Sequence, residues 1–171
     1  MENRDHFSLF GLEPRFAVDD AALESAYRTV QAQVHPDRFA AAGPAERRVA
    51  VEWAARANEA IRVLRSPVRR AAYLCERHGA PIDAESNTAM PVDFLQQQLA
   101  WREALDDAGD DPDALAKLAG ETAAAHDALV AELTRLIDVA GDHRAATAAV
   151  RRLMFVDKFG AEVESALERV S

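Results

Sequence analysis

The apolar side chains of this chain recur every three or four residues, which is the spacing of one face of an α-helix. In the N-terminal part, one such stripe follows Asp19 and Asp20, both favourable residues at a helix start, and a second stripe follows Pro44. The positions in the two stripes are Leu23, Tyr27, Val30 and Val34, then Val49, Trp53, Ala57, Ile61 and Leu64. We therefore expect a pair of long helices, with shorter helices over residues 5–10 and 67–79.

Three more helical segments follow a stretch, residues 80–90, that contains proline, serine and asparagine and is typical of a linker. The first segment begins at Pro91, the second at Asp111-Pro112 and the third after Gly141. The stripes of the second and third segments are Leu115, Leu118, Thr122, Ala125, Leu129, Leu133, Leu136 and Ala140, then Ala149, Leu153, Val156, Gly160, Val163, Leu167 and Val170. This near-heptad spacing favours packing in a helical bundle.

No strand-like alternation or internal repeat stands out, and alanine, a strong helix former, supplies much of the 49% hydrophobic content. We therefore predict an all-α protein in two parts. The N-terminal domain, residues 1–79, is expected to be an antiparallel helical hairpin with short flanking helices. A linker over residues 80–90 then leads to a C-terminal three-helix bundle over residues 91–171.

Three features of the sequence bear on where in the cell the protein is expected. No apolar run approaches 18 residues, so no membrane span is expected, and the N-terminus lacks the apolar core of a signal peptide. The one cysteine, Cys75, cannot form an internal disulfide. A cytoplasmic location fits these features.

The charge of the chain is unevenly distributed. Residues 1–79 carry 12 Lys and Arg against 11 Asp and Glu, whereas residues 80–171 carry 8 against 18, for a total of −9. Because a nucleic-acid binder normally has a basic face, DNA and RNA are not expected partners. The acidic second half suggests a basic or mixed-charge protein partner, but a solvated bundle surface explains the same charge equally well.

The tripeptide His35-Pro36-Asp37 lies between the two long helices of the N-terminal part. Proline at this position disfavours helix in the residue before it, so the preceding helix should end near Val34. An imidazole and a carboxylate are then held on a stiff turn. By itself, the tripeptide is equally compatible with a plain helix-terminating turn whose two polar side chains are solvated.

The surroundings of this turn resemble a J domain, the module by which co-chaperones stimulate the ATPase of DnaK-class heat-shock chaperones. The matching residues are Asp5-His6-Phe7, Phe10-Gly11-Leu12, Asn58-Glu59-Ala60, Leu64, Pro67, Arg70 and Tyr73. Later motifs resemble the HscB family, the J-type co-chaperones of iron–sulfur cluster assembly. Those motifs are Arg70-Ala71-Ala72-Tyr73-Leu74 with Gly79, then Phe94-Leu95, Leu99, Arg102-Glu103 and Leu105, and finally residues 151–158 (RRLMFVDK).

The resemblance implies an N-terminal J domain, a C-terminal three-helix bundle and two protein partners. The J domain would bind an HscA-type chaperone ATPase through His35, Pro36 and Asp37, supplemented by Arg28 and Arg38. The bundle would bind the iron–sulfur scaffold protein IscU. Eukaryotic members often carry an extra cysteine-rich N-terminal module, so this chain is expected to be of the bacterial type.

The resemblance also implies a set of scaffold-binding residues, and the helical periodicity places its apolar members away from the predicted core-facing stripes. Leu95 and Leu99 lie on a stripe nearly opposite Trp101, and on the last helix Phe155 lies away from the Leu153 stripe. We therefore expect an apolar patch on the side away from Trp101 and Leu153. The residues of this patch, including two acidic residues at its rim, are Leu95, Leu99, Glu103, Asp107 and Phe155.

The chain departs from the family pattern at two positions of this patch. Gln96 and Ala100 stand where members often have an apolar and an acidic side chain. Scaffold affinity could therefore be weaker or differently distributed. On spacing alone, the same apolar residues could instead fill the edge of the bundle or pack against the J domain.

Other kinds of chemistry are not predicted. Five scattered histidines and one cysteine have no ligand spacing for zinc or an iron–sulfur cluster, so we expect neither a metal nor a cofactor. The aspartates between residues 106 and 113 lack the glycine and closing glutamate of a calcium loop. No phosphate-binding loop or nucleophile motif is present, so an enzyme is not expected. The alternatives are a J protein for other folding clients and a structural helical protein without chaperone activity.

Overall fold

The computed structural model describes residues 5–82 and 90–170, and this part of the chain contains helices and no strands. The predicted all-α class is therefore confirmed. Seven α-helices are described: α1 (His6–Leu9), α2 (Asp20–Val34), α3 (Pro44–Arg65), α4 (Pro67–Arg77), α5 (Val92–Ala108), α6 (Pro112–Leu133) and α7 (His143–Val170). A 3-10 helix, Pro36–Phe39, follows α2, and a π-helical segment, Thr134–Val139, extends α6.

The chain divides into two compact units, Met1–Leu74 and Cys75–Ser171, whose boundary falls within α4. Most of the predicted linker, residues 83–89, lies outside the described residues. No helix in the described part of the chain is long and apolar enough to cross a membrane.

Polar side chains begin the helices where the sequence predicted helix starts. Asp19 accepts a hydrogen bond from the Ala21 N–H at 2.8 Å, and Asp111 accepts one from the Asp113 N–H at 3.0 Å. The Ser66 hydroxyl oxygen does the same at the first turn of α4. Each such cap contributes about 0.5–2 kcal/mol, because the first N–H groups of a helix otherwise have no partner in the helix.

In the first unit, α2 and α3 pack through the two predicted stripes, with one correction. Leu23, Ile61 and Leu64 are buried, as expected, but Val49 is 40% exposed and its neighbour Ala50 is buried instead. The apolar face of the first turns of α3 is therefore rotated by one residue. Farther along the pair, the Tyr27 hydroxyl donates a hydrogen bond to the Asn58 side-chain oxygen at 2.9 Å.

A buried arginine fixes the turn between α3 and α4. Arg70 is only 6% exposed, and its guanidinium donates a hydrogen bond to the Leu64 carbonyl oxygen at 2.5 Å. The same guanidinium lies over the Phe16 ring, 5.1 Å from its centroid. One side chain thus satisfies a carbonyl in the last turn of α3 and ties it to the segment before α2.

In the second unit, α6 and α7 pack through the stripes predicted for them. Leu115, Leu133 and Leu153 are completely buried. Ala140, the last position of the α6 stripe, is exposed because it follows the π-helical segment, where the helical period changes. Phe159 is also completely buried although it is absent from the predicted stripe, and its ring stacks on Trp101 of α5.

The chain's cysteine generates a first prediction. Cys75 is completely buried, and this burial, with a smaller contribution from the Glu76 charge, raises the pKa of its thiol to about 11. Because the thiolate is the reactive form, native protein at neutral pH should react with DTNB at least about a hundredfold more slowly than urea-unfolded protein. Stopped-flow absorbance measures both rates. Rapid labelling of the native protein would contradict the buried placement.

Candidate functional site

The His35-Pro36-Asp37 turn has a defined backbone conformation. His35 ends α2 in an extended conformation (φ −58°, ψ 131°), and the 3-10 helix begins immediately at Pro36. The Arg38 N–H donates to the His35 carbonyl oxygen at 3.0 Å, which closes the turn. The predicted end of α2 at Val34 is confirmed, and Arg38 lies in the 3-10 helix that follows.

The polar side chains of this turn point into solvent. Asp37 is 90% exposed and His35 is 56% exposed. Nδ1 of His35 lies 3.3 Å from the Asp37 backbone nitrogen and 3.5 Å from its carboxylate. An unprotonated Nδ1 accepts the backbone N–H bond, whereas a protonated Nδ1 is close enough to pair with the carboxylate. Neither group contributes to the buried core.

The two predicted supplementary cations differ in their contacts. The Arg38 guanidinium donates to the Ala32 carbonyl oxygen at 3.3 Å, so it satisfies one of the last carbonyls of α2. This contact draws the start of the 3-10 helix back onto α2. Arg28 is exposed on α2, one helical turn before Ala32.

On α5 the structure exposes the two leucines that were expected to face solvent. Leu95 is 47% exposed and Leu99 is 61% exposed. Glu103 and Asp107 are also exposed, at the same four-residue spacing along the helix. The four residues therefore form one stripe, apolar at its start and acidic toward the end of α5. Leu95, Leu99, Glu103 and Asp107 are called the α5 stripe below.

The position of Phe155 corrects one expectation. Its ring stacks on Trp101 with centroids 6.4 Å apart and meets Phe94 edge-on at 5.7 Å, so it does not lie on the side away from Trp101. Phe155 remains only half-buried. An aromatic ring at a helix pair gains more by packing on neighbouring rings than by standing free in water, which explains the placement.

Sequence reasoning also missed how α5 is held against α7. Arg102 pairs with Glu162 and its guanidinium lies over the Phe159 ring at 4.9 Å, while Arg152 lies over Phe94 at 5.5 Å. The charge pair holds the pKa of Glu162 below its ordinary value, chiefly through the hydrogen bond from Arg102. The sequence carries a signal for this contact in the spacing of its aromatic residues. Phe155 and Phe159 are four positions apart on α7, and Phe94 and Trp101 are seven positions apart on α5.

The two departures from the family pattern both fall on exposed positions of α5. Gln96 and Ala100 immediately follow Leu95 and Leu99 in sequence and are solvent-exposed. Neither side chain belongs to the buried core of the bundle. In the described residues, no group of three or more His, Cys, Asp or Glu side chains is arranged to hold a metal ion.

Comparison with known proteins covers nearly the whole chain. A family model described as the HSCB C-terminal oligomerisation domain matches residues 90–164. A co-chaperone protein HscB homolog from Bordetella pertussis is 55% identical over 162 residues, which cover 95% of each chain. Another from Burkholderia vietnamiensis is 51% identical over 167 residues, covering 96% of this chain and 95% of that protein.

Solved structures agree with these sequence matches. The chaperone HscB from Vibrio cholerae superposes with a TM-score of 0.85 at 31% identity, covering 98% of this chain and all of that one. Human co-chaperone protein HscB superposes with a TM-score of 0.90, covering 96% of this chain and 83% of that one. At 23% identity, the human likeness shows the shared fold.

The contrast between Leu99 and Phe155 generates a second prediction. Phe155→Ala should lower the free energy of unfolding by about 1–3 kcal/mol, because it removes a half-buried ring and its aromatic contacts. Leu99→Ala should change it by less than about 0.5 kcal/mol, since the side chain is mostly in water. Urea unfolding followed by circular dichroism measures both. Equal destabilisation would mean that Leu99 packs against other side chains.

Proposed function

The chain belongs to the HscB family of co-chaperones, and from this premise we propose that it couples two protein partners. One is an HscA-type chaperone of the DnaK class, whose ATPase it stimulates. The other is an IscU-type iron–sulfur scaffold protein, which it delivers to that chaperone for cluster maturation and transfer. The iron–sulfur cluster is cargo of the scaffold, so this chain needs only protein-binding surfaces.

The observation that carries the chaperone half of the proposal is the exposed carboxylate of Asp37 on a turn held against α2 by Arg38. A carboxylate with both oxygens available can accept two hydrogen bonds from an arginine of the partner. Because the 3-10 helix and the Arg38 contact fix the turn beforehand, binding costs little conformational entropy. His35 adds an exposed imidazole that can form hydrogen bonds to the partner.

Long-range attraction makes a smaller contribution to this chaperone contact. Arg28 is exposed and would extend the cationic side of α2 toward the turn, but Asp19, Asp20 and Glu24 lie on the same helix or at its start. Glu24 is paired with Arg65 at 2.5 Å, which removes part of that opposing charge. We therefore expect short-range contacts at the turn to dominate the affinity.

The scaffold half rests on the α5 stripe, with the half-buried Phe155 of α7 as a second, separate contact. Leu95 and Leu99 offer apolar area that the bundle leaves in water, and Glu103 and Asp107 form an acidic edge. A small apolar centre with a polar rim is the usual composition of a modest protein–protein contact. Phe155 would supply the rigid aromatic part, since its ring is already held by Trp101 and Phe94.

A third prediction tests the chaperone contact. His35→Gln or Asp37→Asn should reduce stimulation of the partner ATPase by about tenfold or more, because each removes a charge-assisted contact of about 1.5–3 kcal/mol. Single-turnover ATP hydrolysis measures the effect, and circular dichroism checks the fold. Glu52→Gln, an exposed charge on α3, is the matched control and should stimulate normally. Full stimulation by both turn variants would overturn the chaperone half.

A fourth prediction tests the scaffold contact. Leu99→Ala should weaken binding to an IscU-type scaffold by about 1–3 kcal/mol, the usual cost of truncating a hot-spot side chain. Isothermal titration calorimetry gives the affinity. Val139→Ala is the control, because Val139 is 79% exposed at the end of the π-helical segment in the same unit.

The outcomes of this test separate the proposal from its competitors. Stimulation of the chaperone without scaffold should be the same for Leu99→Ala as for the unchanged protein. Normal scaffold affinity in both Leu95→Ala and Leu99→Ala would exclude the α5 stripe as the binding surface. Absence of any scaffold binding by the unchanged protein, with normal ATPase stimulation, would favour a J protein for other folding clients.

A further inference from the structure

A cleft of about 570 Å³ lies in the second unit, away from the α5 stripe. It is formed by the chain that follows α4 and by the first turns of α7. Its polar lining consists of His78, Asp142, His143, Arg144, Thr147 and Arg151. Arg144 and Arg151 lie together in this cleft although acidic residues outnumber basic ones by 18 to 8 over residues 80–171.

The two histidine rings of the cleft are stacked face to face. The centroids of His78 and His143 are 3.6 Å apart and the rings are tilted by only 8°. His78 is positioned by its N–H bond to the Cys75 carbonyl oxygen and by Gly79, whose positive φ of 73° turns the chain back. Two imidazolium ions cannot remain in such contact without repulsion, so the stack favours at most one proton.

The arginines supply donors that the protein itself does not fully use. Arg144 is exposed, and the buried Nε of Arg151 meets no hydrogen-bond acceptor in the described part of the chain. By contrast, the first turn of α7 is already capped, because Asp142 accepts the Ala145 N–H at 2.9 Å. The cations of the cleft, and not the helix end, are therefore the groups available to a ligand.

The fixed charges around the cleft nearly cancel, so its net charge depends on whether a histidine is protonated. Arg144 and Arg151 are balanced by Asp142 and by Asp138 of the π-helical segment while both imidazoles are neutral. Protonation of one imidazole makes the cleft positive. Burial lowers the pKa of His143 below its ordinary 6.5, and the neighbouring His78 lowers it further. A backbone hydrogen bond at Gly141 and the charges of Asp142 and Asp138 act in the opposite direction and raise it. Glu76 and Arg77 flank His78 on its own segment.

We infer that this cleft is a proton-linked binding site for a small tetrahedral dianion of the phosphate class. The Arg144 and Arg151 guanidinium groups hold the anion, and the stacked imidazoles admit the proton that makes the cleft cationic. Anion binding and protonation of the stack then favour each other by the same free energy, as linkage requires. The site is independent of the chaperone and scaffold surfaces proposed above.

Sulfate is the probe for the first experiment, because its charge stays constant over the pH range in which histidine titrates. Amide chemical shifts of the whole protein are followed by NMR during sulfate titration at about pH 6 and about pH 8, at matched chloride ionic strength. Saturable shifts at residues 143–147 are expected, with an affinity about threefold or more tighter at the lower pH. Sulfate should also raise the pKa of His143.

Three variants separate this site from diffuse attraction. Arg144→Gln should weaken sulfate binding about fivefold or more, whereas Arg169→Gln, which removes the same charge from the far end of α7, should leave it unchanged. His78→Gln should retain binding at the higher pH and lose most of the pH dependence. Circular dichroism verifies that each variant is folded.

Each result supports or overturns the inference. Equal weakening by Arg144→Gln and Arg169→Gln would mean general electrostatic attraction, and unsaturable shifts at both pH values would mean that no site exists. pH-independent binding would refute the proton linkage. Once sulfate binds as expected, the affinities for inorganic phosphate and glycerol 3-phosphate are compared. Tighter binding of inorganic phosphate indicates that the natural ligand is a free anion. Tighter binding of glycerol 3-phosphate indicates an esterified phosphate.

Discussion

Every helix leaves N–H groups at one end and carbonyl groups at the other without partners in the helix, and the seven α-helices in the described part of the chain have many such groups to satisfy. Here the solutions also place the functional groups. Arg38 reaches the Ala32 carbonyl and thereby braces the turn that exposes Asp37. Arg70 reaches the Leu64 carbonyl and fixes the α3–α4 turn. Asp142 accepts the Ala145 N–H and so caps the first turn of α7, beside the proposed anion site.

Local features were predictable from the sequence because their causes lie within a few residues. A cap such as Asp19 acts on the N–H groups two and three residues later, and Pro36 ends α2 regardless of what packs around it. The exposure of Leu95 and Leu99 followed from helical periodicity. Phe155 was misplaced, and the Arg102–Glu162 pair was missed, because the angle at which α5 meets α7 depends on side chains far apart in sequence.

The helix α5 has two faces that require opposite properties. Phe94 and Trp101 are nearly buried and hold the helix against α7, whereas Leu95 and Leu99 stay in water. A bundle stabilised only by aliphatic packing would gain by rotating such a helix to bury the leucines. Ring stacking and the cations over Phe94 and Phe159 have a directional geometry, so they oppose that rotation and keep the apolar stripe on the surface.

The burial of Cys75 acquires a further meaning beside the proposed scaffold partner. Thiolates bind iron and react with oxidants, and sulfenic acid or mixed disulfides form first at cysteines that are exposed and ionised. The one cysteine of this chain is neither, since it is completely buried and its pKa is about 11. Cys75 therefore offers no accessible thiolate to a redox-active client of the proposed kind.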